Sequence, residues 1–240
     1  SGNKFGKFCS ENKFGPVCKG NEFGDECEKN ELCLMIPNEI DPDTGEVLSY
    51  IISDDDTVSG SCNYNKFGYK CNTNKLPYYC SNNTFVKSCI NNTFGESCIN
   101  NTFGNDCYNN TFGESCGNNT FGNYCNYNSF EGDCKHNTFG NDCSSNTFGD
   151  YCKFNTFGNS CGSNTLGGGC NHNTFVKSCD SNNFGNSCNN NTLGNYCKFN
   201  TFGESCNNNT FGDSCDFLVI TKQYIKNYTF SKSVKGDDYN

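Results

Sequence analysis

Along most of the chain, one large apolar residue and one cysteine recur with a period of nine, separated by Asn, Gly and small polar residues. The unit is N-T-F-G-x-x-C-x-x, with positions numbered one to nine. Asn fills position one in 17 consecutive units from Asn65 to Asn209, without insertion or deletion. Four more units open at Asn3, Asn12, Asn21 and Asn30. The stretch "DTVSGSC", residues 56 to 62, is a degenerate copy with Asp56 in the Asn place, which brings the total to 22 units. Position three is Phe or Leu everywhere except Val58. Position seven is Cys except in "NELCLMI", where Ile36 takes that place and Cys33 falls out of register.

A fixed period of this size predicts an all-β fold, a parallel β-solenoid in which each unit is one step of a coil. Nine residues make a short strand and a turn, too little to bury anything alone. Stacking builds the core by placing each inward side chain on its equivalent one rung away, at the strand spacing of ~4.8 Å. Two units per coil, 18 residues, give about 11 coils, and this is the reading adopted; three per coil would give a triangular solenoid of about seven.

Substitutions show which positions face inward. Position two is Thr in most units but Lys4, Lys13, Glu22, Glu31, Lys66 and Lys75 in the early ones, a mixture that only a water-facing site accepts. Alternation along the strand then turns positions one and three toward the core. In this reading Asn92, Phe94 and Cys98, with Asn101, Phe103 and Cys107 in the next unit, are structural ladder residues. Phe forms the apolar column, Asn bonds its own backbone and the amides above and below, and Cys packs a second inner column. Gly at position four invites a left-handed turn, but Pro77, Val86, Glu131 and Val176 share its place, and a proline ring locks φ at a negative value. Close packing beside a bend is the better reason for this Gly.

The pattern divides the chain into repeats at 1–36, an irregular insertion or hairpin at 37–61, regular repeats at 62–215 and capping strands, or the start of a following domain, at 216–240. "DPDTGE", Asp41 to Glu46, looks superficially like a calcium loop, yet reads more simply as the turn of a hairpin between "LMIPNEI" and "EVLSYIIS". Alternatively, residues 38 to 55 are a degenerate coil of two repeat lengths. The tail after Cys215 carries "FLVIT" and "YIKNYTF", expected to cover the open end.

Composition narrows the function classes. With 33% hydrophobic residues and no Trp in 240 residues, the core must come from 22 Phe, 13 Tyr and 22 Cys. A net charge of −9 without clustered Lys predicts no nucleic-acid partner and no anionic membrane surface. No apolar run approaches the ~20 residues of a membrane span, so no membrane insertion is expected. The first residues carry no basic-then-apolar leader and already lie inside the repeat, which reads as a fragment or a processed product.

The 22 cysteines allow up to 11 disulfides or a column of free thiols. Neighbouring rungs hold Cβ atoms near ~4.8 Å, beyond the usual ~3.5–4.5 Å of a disulfide, which favours thiols packed as small hydrophobes while leaving the framework open. Nothing in the ladder has C-x-x-C spacing, and the Gly-Gly pair of calcium-binding β-rolls is missing, so no metal and no cofactor are expected. His136 and His172 both stand at position nine, two rungs apart, and read as solvent-exposed. No Ser, His and Asp grouping or paired-carboxylate site can be assembled, so no catalytic residues are expected. Aromatics pair at positions six and nine in three units, Tyr124 with Tyr127, Tyr151 with Phe154 and Tyr196 with Phe199, and this co-occurrence suggests that the two side chains of a unit touch. An outward pair of this kind could stack on sugar rings, giving a candidate glycan platform. The simpler explanation of the pairs is local repacking at a corner, or the echo of a duplicated 45-residue block, since "YCKFNTFG" recurs at 151 and 196. The lone Thr column lacks the paired T-x-T of ice-binding faces, and the "NNT" sequons arise automatically from the repeat.

With Asn, Phe, Gly and Cys in place and "DFLVITKQYIKNYTF" following, the chain resembles the N-T-F-G-x-x-C repeat regions of tail-fibre-like proteins in phages and prophages of gut Bacteroidales bacteria. The resemblance covers nearly the whole chain, though the early charged units and the 38 to 55 interruption depart from it. It implies a non-catalytic shaft or receptor-binding segment, a homotrimer or fibre assembly, a host-surface glycan or receptor as partner, and a place in the virion tail or outside the cell. Assembly in a reducing cytoplasm would favour free thiols. A bacterial cell-surface adhesin with the same solenoid is the alternative reading; a polysaccharide-degrading solenoid enzyme and an ice-binding protein stand behind it.

Overall fold

The computed structural model describes residues 2–12, 18–30, 32, 37–40, 47–50, 62–76, 78–221 and 227–231. Each Thr-Phe pair is a short strand, and strands of alternate units pair in parallel and in register, Thr102 with Thr120 and Phe103 with Phe121. Successive units build opposite walls of the coil, a twelve-stranded and a nine-stranded parallel sheet among the described residues. The chain is therefore a two-sided solenoid with two repeats per coil.

Phe is the reason two repeats close a coil. Rings within one sheet stack nearly parallel, with centroids from 4.4 Å for Phe67 on Phe85 to 5.2 Å for Phe211 on Phe230. Rings of the facing sheets meet edge to face at 5.2 to 5.6 Å, as Phe85 does with Phe94 and Phe121 with Phe130. One ring from each wall thus fills the width of the coil, in both geometries that aromatic quadrupoles favour. A third wall would leave a central void that Phe cannot fill.

Position one supplies the polar half of the interior. Every such Asn from Asn65 to Asn209 is buried, and none of these amides is wasted. The Asn92 backbone N–H and Nδ2 both donate to Asn110 Oδ1 on the next rung, at 3.0 and 3.1 Å, and Nδ2 donates also to the Cys71 carbonyl at 3.1 Å. The same pattern recurs rung after rung, so the column satisfies buried donors and acceptors that would otherwise cost free energy.

The glycine at position four packs tightly on the rung below, as the Pro, Val and Glu exceptions imply. A Cβ on Gly113 would stand 2.9 Å from the Glu96 amide nitrogen, and one on Gly104 only 1.5 Å from the Val86 carbonyl oxygen. The unit carrying Val86 is accommodated by a longer strand, Thr84–Lys87; Pro77 lies outside the described residues. Left-handed φ belongs instead to positions six and nine, including Ser97 at 56° and Asn100 at 57°. Asn, Asp and Ser are well suited there because short polar side chains tolerate that region.

The interruption proves to sit inside one unit. Asn12 N–H donates to Asn30 Oδ1 18 residues on, but Asn30 N–H donates to Asn74 Oδ1, 44 residues on. Leu32 is buried at the Phe place and bonds the Lys75 carbonyl through its N–H. Cys62 fills the matching Cys place: its N–H donates to Cys80 Sγ at 3.4 Å and its carbonyl accepts from Asn83 Nδ2 at 2.7 Å. Asn30, Leu32 and Cys62 thus belong to a single unit, half of one coil, with residues 33–61 inserted between Leu32 and Cys62. Between them Pro37–Ile40 pairs antiparallel with Val47–Tyr50, the hairpin read from the sequence; its turn at 41–46 lies outside the described residues. The early charges also find a place, since Lys4, Glu22 and Lys66 are consecutive rungs of one sheet and Lys4 Nζ lies 3.3 Å from Glu22.

After Cys215 the tail continues the coil. Val219–Ile220 pairs in register with Thr201–Phe202, and Thr229–Phe230 with Thr210–Phe211. Leu218 and Tyr228 replace the position-one Asn. The Tyr228 hydroxyl donates to the Cys206 carbonyl, the partner an Asn amide would have taken, and burial pushes this phenol up to about 12. A residue that caps the rung below without needing one above suits the end of the ladder.

Candidate functional surface

Position seven turns its sulfur into the coil beside the Asn column. Nineteen described cysteines are free thiols and all but Cys9 are buried, while Cys62 is disulfide-bonded. The buried thiols are held by backbone: Cys89 Sγ donates to the Gly68 carbonyl at 3.3 Å and the Cys80 N–H donates to Cys98 Sγ at 3.3 Å. Burial pushes the Cys71 thiol up to about 12, and it raises Cys27 as well. Farther along, hydrogen bonds to the thiols of Cys116 and Cys80, with burial, push Cys98 up. Raised thiols alternate with lowered ones: hydrogen bonds from the neighbouring thiols pull Cys107 and Cys116 down. What protects the column is therefore its burial, which keeps a reagent from the sulfur whichever way a thiol is shifted. In native buffer at pH 8, alkylation is expected to reach Cys9 while sparing the buried columns, with at least nineteen adducts by intact mass after denaturation. Rapid native labelling throughout would contradict the packing. Among the described residues no group of three or more His, Cys, Asp or Glu could hold a metal ion.

The surface chemistry therefore lies at the two outer corners, positions six and nine. Tyr124, Tyr127, Tyr151, Phe154, Tyr196 and Phe199 all point outward and are exposed, each at a left-handed φ. The structure does not gather them into one platform. Tyr124 and Tyr196 share an edge but stand four coils apart, whereas Tyr151 is one and a half coils from Tyr124 and stands on the opposite edge. The expectation that the two rings of a unit touch is corrected as well, since the observed ring contacts run up the solenoid. Phe154 is sandwiched between His136 and His172 at 5.0 and 4.9 Å, and Phe199 stacks on Phe217 at 4.9 Å. Residues at position nine share one backbone conformation and so project in parallel, one rung apart, at stacking distance. Tyr151 instead lies over Gly169, where an added Cβ would come 2.8 Å from its ring. Lys153 Nζ stands 5.8 Å from the Tyr151 centroid and Lys177 Nζ 5.4 Å from that of Tyr196, within cation–π range.

The sequence reading missed the His136, Phe154 and His172 stack, although the signal was present: the three stand on successive coils at one repeat position. It also missed a groove of about 400 Å³ lined by Tyr108, Asn109, Asn126 and Tyr127. Tyr108 occupies position eight, which the unit pattern gives no reason to single out.

The chain matches no family model and no curated protein. Two solved structures show a weak likeness. One is the Streptococcus pneumoniae surface protein and adhesin PfbA, 10% identical over 98% of this chain and 90% of that one, with a TM-score of 0.30. The other is a TibC-catalysed, hyper-glycosylated fragment of TibA, 7% identical over 98% of both chains, with a TM-score of 0.24. At these scores neither likeness carries an argument about this chain.

Proposed function

We propose that this chain is a non-catalytic shaft and adhesion segment of a surface fibre, tail-fibre-like in kind, with a host-surface glycan or receptor as its partner. The observation that supports this reading is the use made of the interior: positions one, three and seven are consumed by Asn, Phe and Cys columns on nearly every described rung. What the repeat leaves variable is the outer surface, displayed along twelve strands of one sheet, roughly 50 Å at ~4.8 Å per rung. Columns of buried free thiols suit assembly in a reducing compartment before display.

Immunogold electron microscopy with antibodies to the chain, applied to producing cells and to particles released from them, tests the reading. Label on fibres projecting from particle tails is the expected result. Label along the cell envelope would favour the surface-adhesin alternative, and label confined to the cell interior would overturn both.

A further inference from the structure

The outer corners are not equivalent, and one of them carries a groove that the repeat does not require. It spans two consecutive rungs, with Tyr108 and Asn109 on one and Asn126 and Tyr127 on the next. The two tyrosines therefore stand diagonally, with an amide beside each. Both rings are exposed, Tyr108 at 38% and Tyr127 at 63%, so neither is used by the core.

The floor is rigid. Asn109 N–H donates to the Asn126 carbonyl at 3.2 Å and Tyr127 N–H to the Ser144 carbonyl at 3.2 Å, which fixes each rung on the next. Asn126 Oδ1 accepts from the Ser144 N–H at 2.6 Å, which fixes the plane of its amide. That bond uses the oxygen, so Nδ2 keeps both hydrogens for a ligand. The Asn109 side-chain amide has no protein partner among the described residues, so it too can donate and accept.

The geometry points to a saccharide-binding subsite at Tyr108, Asn109, Asn126 and Tyr127 that takes a neutral pyranose ring, an inference that rests on the adhesion reading above. Aromatic faces meet the apolar C–H face of a sugar, while planar amides pair with its vicinal hydroxyls. The class follows from the charges. No Lys or Arg lines the groove and the chain carries a net charge of −9, so a uronic or sialic acid would meet no cation there. Two tyrosines one rung apart suit one or two sugar units of a longer glycan, with weak affinity per chain that multivalent display would raise.

The test is a saturation-transfer and calorimetric titration of the whole chain with neutral hexose and N-acetylhexosamine oligosaccharides, alongside sialylated and uronate controls. Tyr127→Ala and Tyr108→Ala are expected to weaken neutral-glycan binding about 3- to 10-fold each, given what one stacked ring contributes, and Asn109→Ala by about as much through its lost hydrogen bonds, with circular dichroism unchanged. Tyr79→Ala on the opposite edge, exposed and outside both the groove and the candidate platform, is expected to leave binding as it was. Binding lost in Tyr79→Ala but retained in the three groove variants, preference for the acidic glycans, or no neutral glycan bound at all would each overturn the subsite. The immunogold result stands apart from all of these, so the subsite can fail while the adhesion reading survives.

Discussion

Replacing Asn128 by Asp is expected to destabilise the solenoid by about 3–5 kcal/mol at pH 7, because it removes buried donors and puts a charge in their place. In the native column, Asn128 Nδ2 donates to the Cys107 carbonyl at 3.2 Å and to Asn146 Oδ1 at 3.2 Å, while Asn128 Oδ1 accepts from the backbone N–H and Nδ2 of Asn110 at 3.0 and 3.1 Å. A carboxylate keeps the acceptor role toward Asn110. It leaves the Cys107 carbonyl unpaired, however, and sets an anion against Asn146 Oδ1. Protonation restores one donor, so the folded chain holds this proton more tightly than the unfolded chain, in which an Asp titrates near about 3.9. A carboxyl whose folded pKa is raised loses stability as pH climbs from the unfolded value to the folded one. The deficit relative to the native chain should therefore be small below about pH 4 and grow toward neutrality. Denaturant unfolding at several pH values measures it, with hydrogen exchange at the flanking rungs showing whether the coil opens there. Asn128→Ala should cost a similar amount with no such pH dependence. A flat pH profile for the Asp variant would show that the ladder amides are not held as described.

Much of this interior was legible because the repeat is a substitution experiment run many times within one chain. Thr, Lys and Glu alternating at position two exposed that face, and the near invariance of Asn and Phe marked the other. The exceptions at position four, Pro77 and Val86 among them, argued against a left-handed glycine and in favour of the close approach now seen at Gly104. The left-handed residues were hidden for a related reason. Positions six and nine vary so widely, through Ser97, Asn100, Tyr124 and His136, that variation read as exposure when it also reflected a backbone conformation that short polar residues adopt cheaply. The split unit was hidden because counting by nines treats Asn30 and Asp56 as separate starts. Only the hydrogen bonds of Leu32 and Cys62 show that these two residues belong to a single unit.

The surface was legible only as a list of residues. Pairing Tyr151 with Phe154 relied on nearness in sequence, whereas in a solenoid the nearest outward neighbour lies one full coil away. That is why Phe154 meets His136 and His172 instead, and why Tyr108 and Tyr127 border one groove despite belonging to different units. The tail was read as a cover for the last rung and does extend the stack. Its device, Tyr228 reaching the Cys206 carbonyl in place of an Asn, depends on a one-residue offset that no pattern announces.

Phe121→Ala is expected to cost about 3–5 kcal/mol, comparable to the Asn128 change but by a different route. Its ring is buried between Phe103 and Phe139 at 4.7 and 4.6 Å and meets the edges of Phe112 and Phe130 at 5.4 and 5.6 Å. Truncation removes four ring contacts at once. It also leaves a cavity that the chain cannot close, because Thr120 and Asn119 beside it are pinned rung to rung by backbone bonds. The chain itself supplies the control. Leu166 and Leu193 occupy the same repeat position fully buried, so Phe121→Leu keeps most of the volume and should cost roughly 1 kcal/mol. Because each rung touches only its neighbours, both losses should appear first as faster hydrogen exchange between residues 103 and 139, with distant rungs protected as before. Equal costs for Ala and Leu would mean that the Phe column is held by its backbone and not by the fit of its rings.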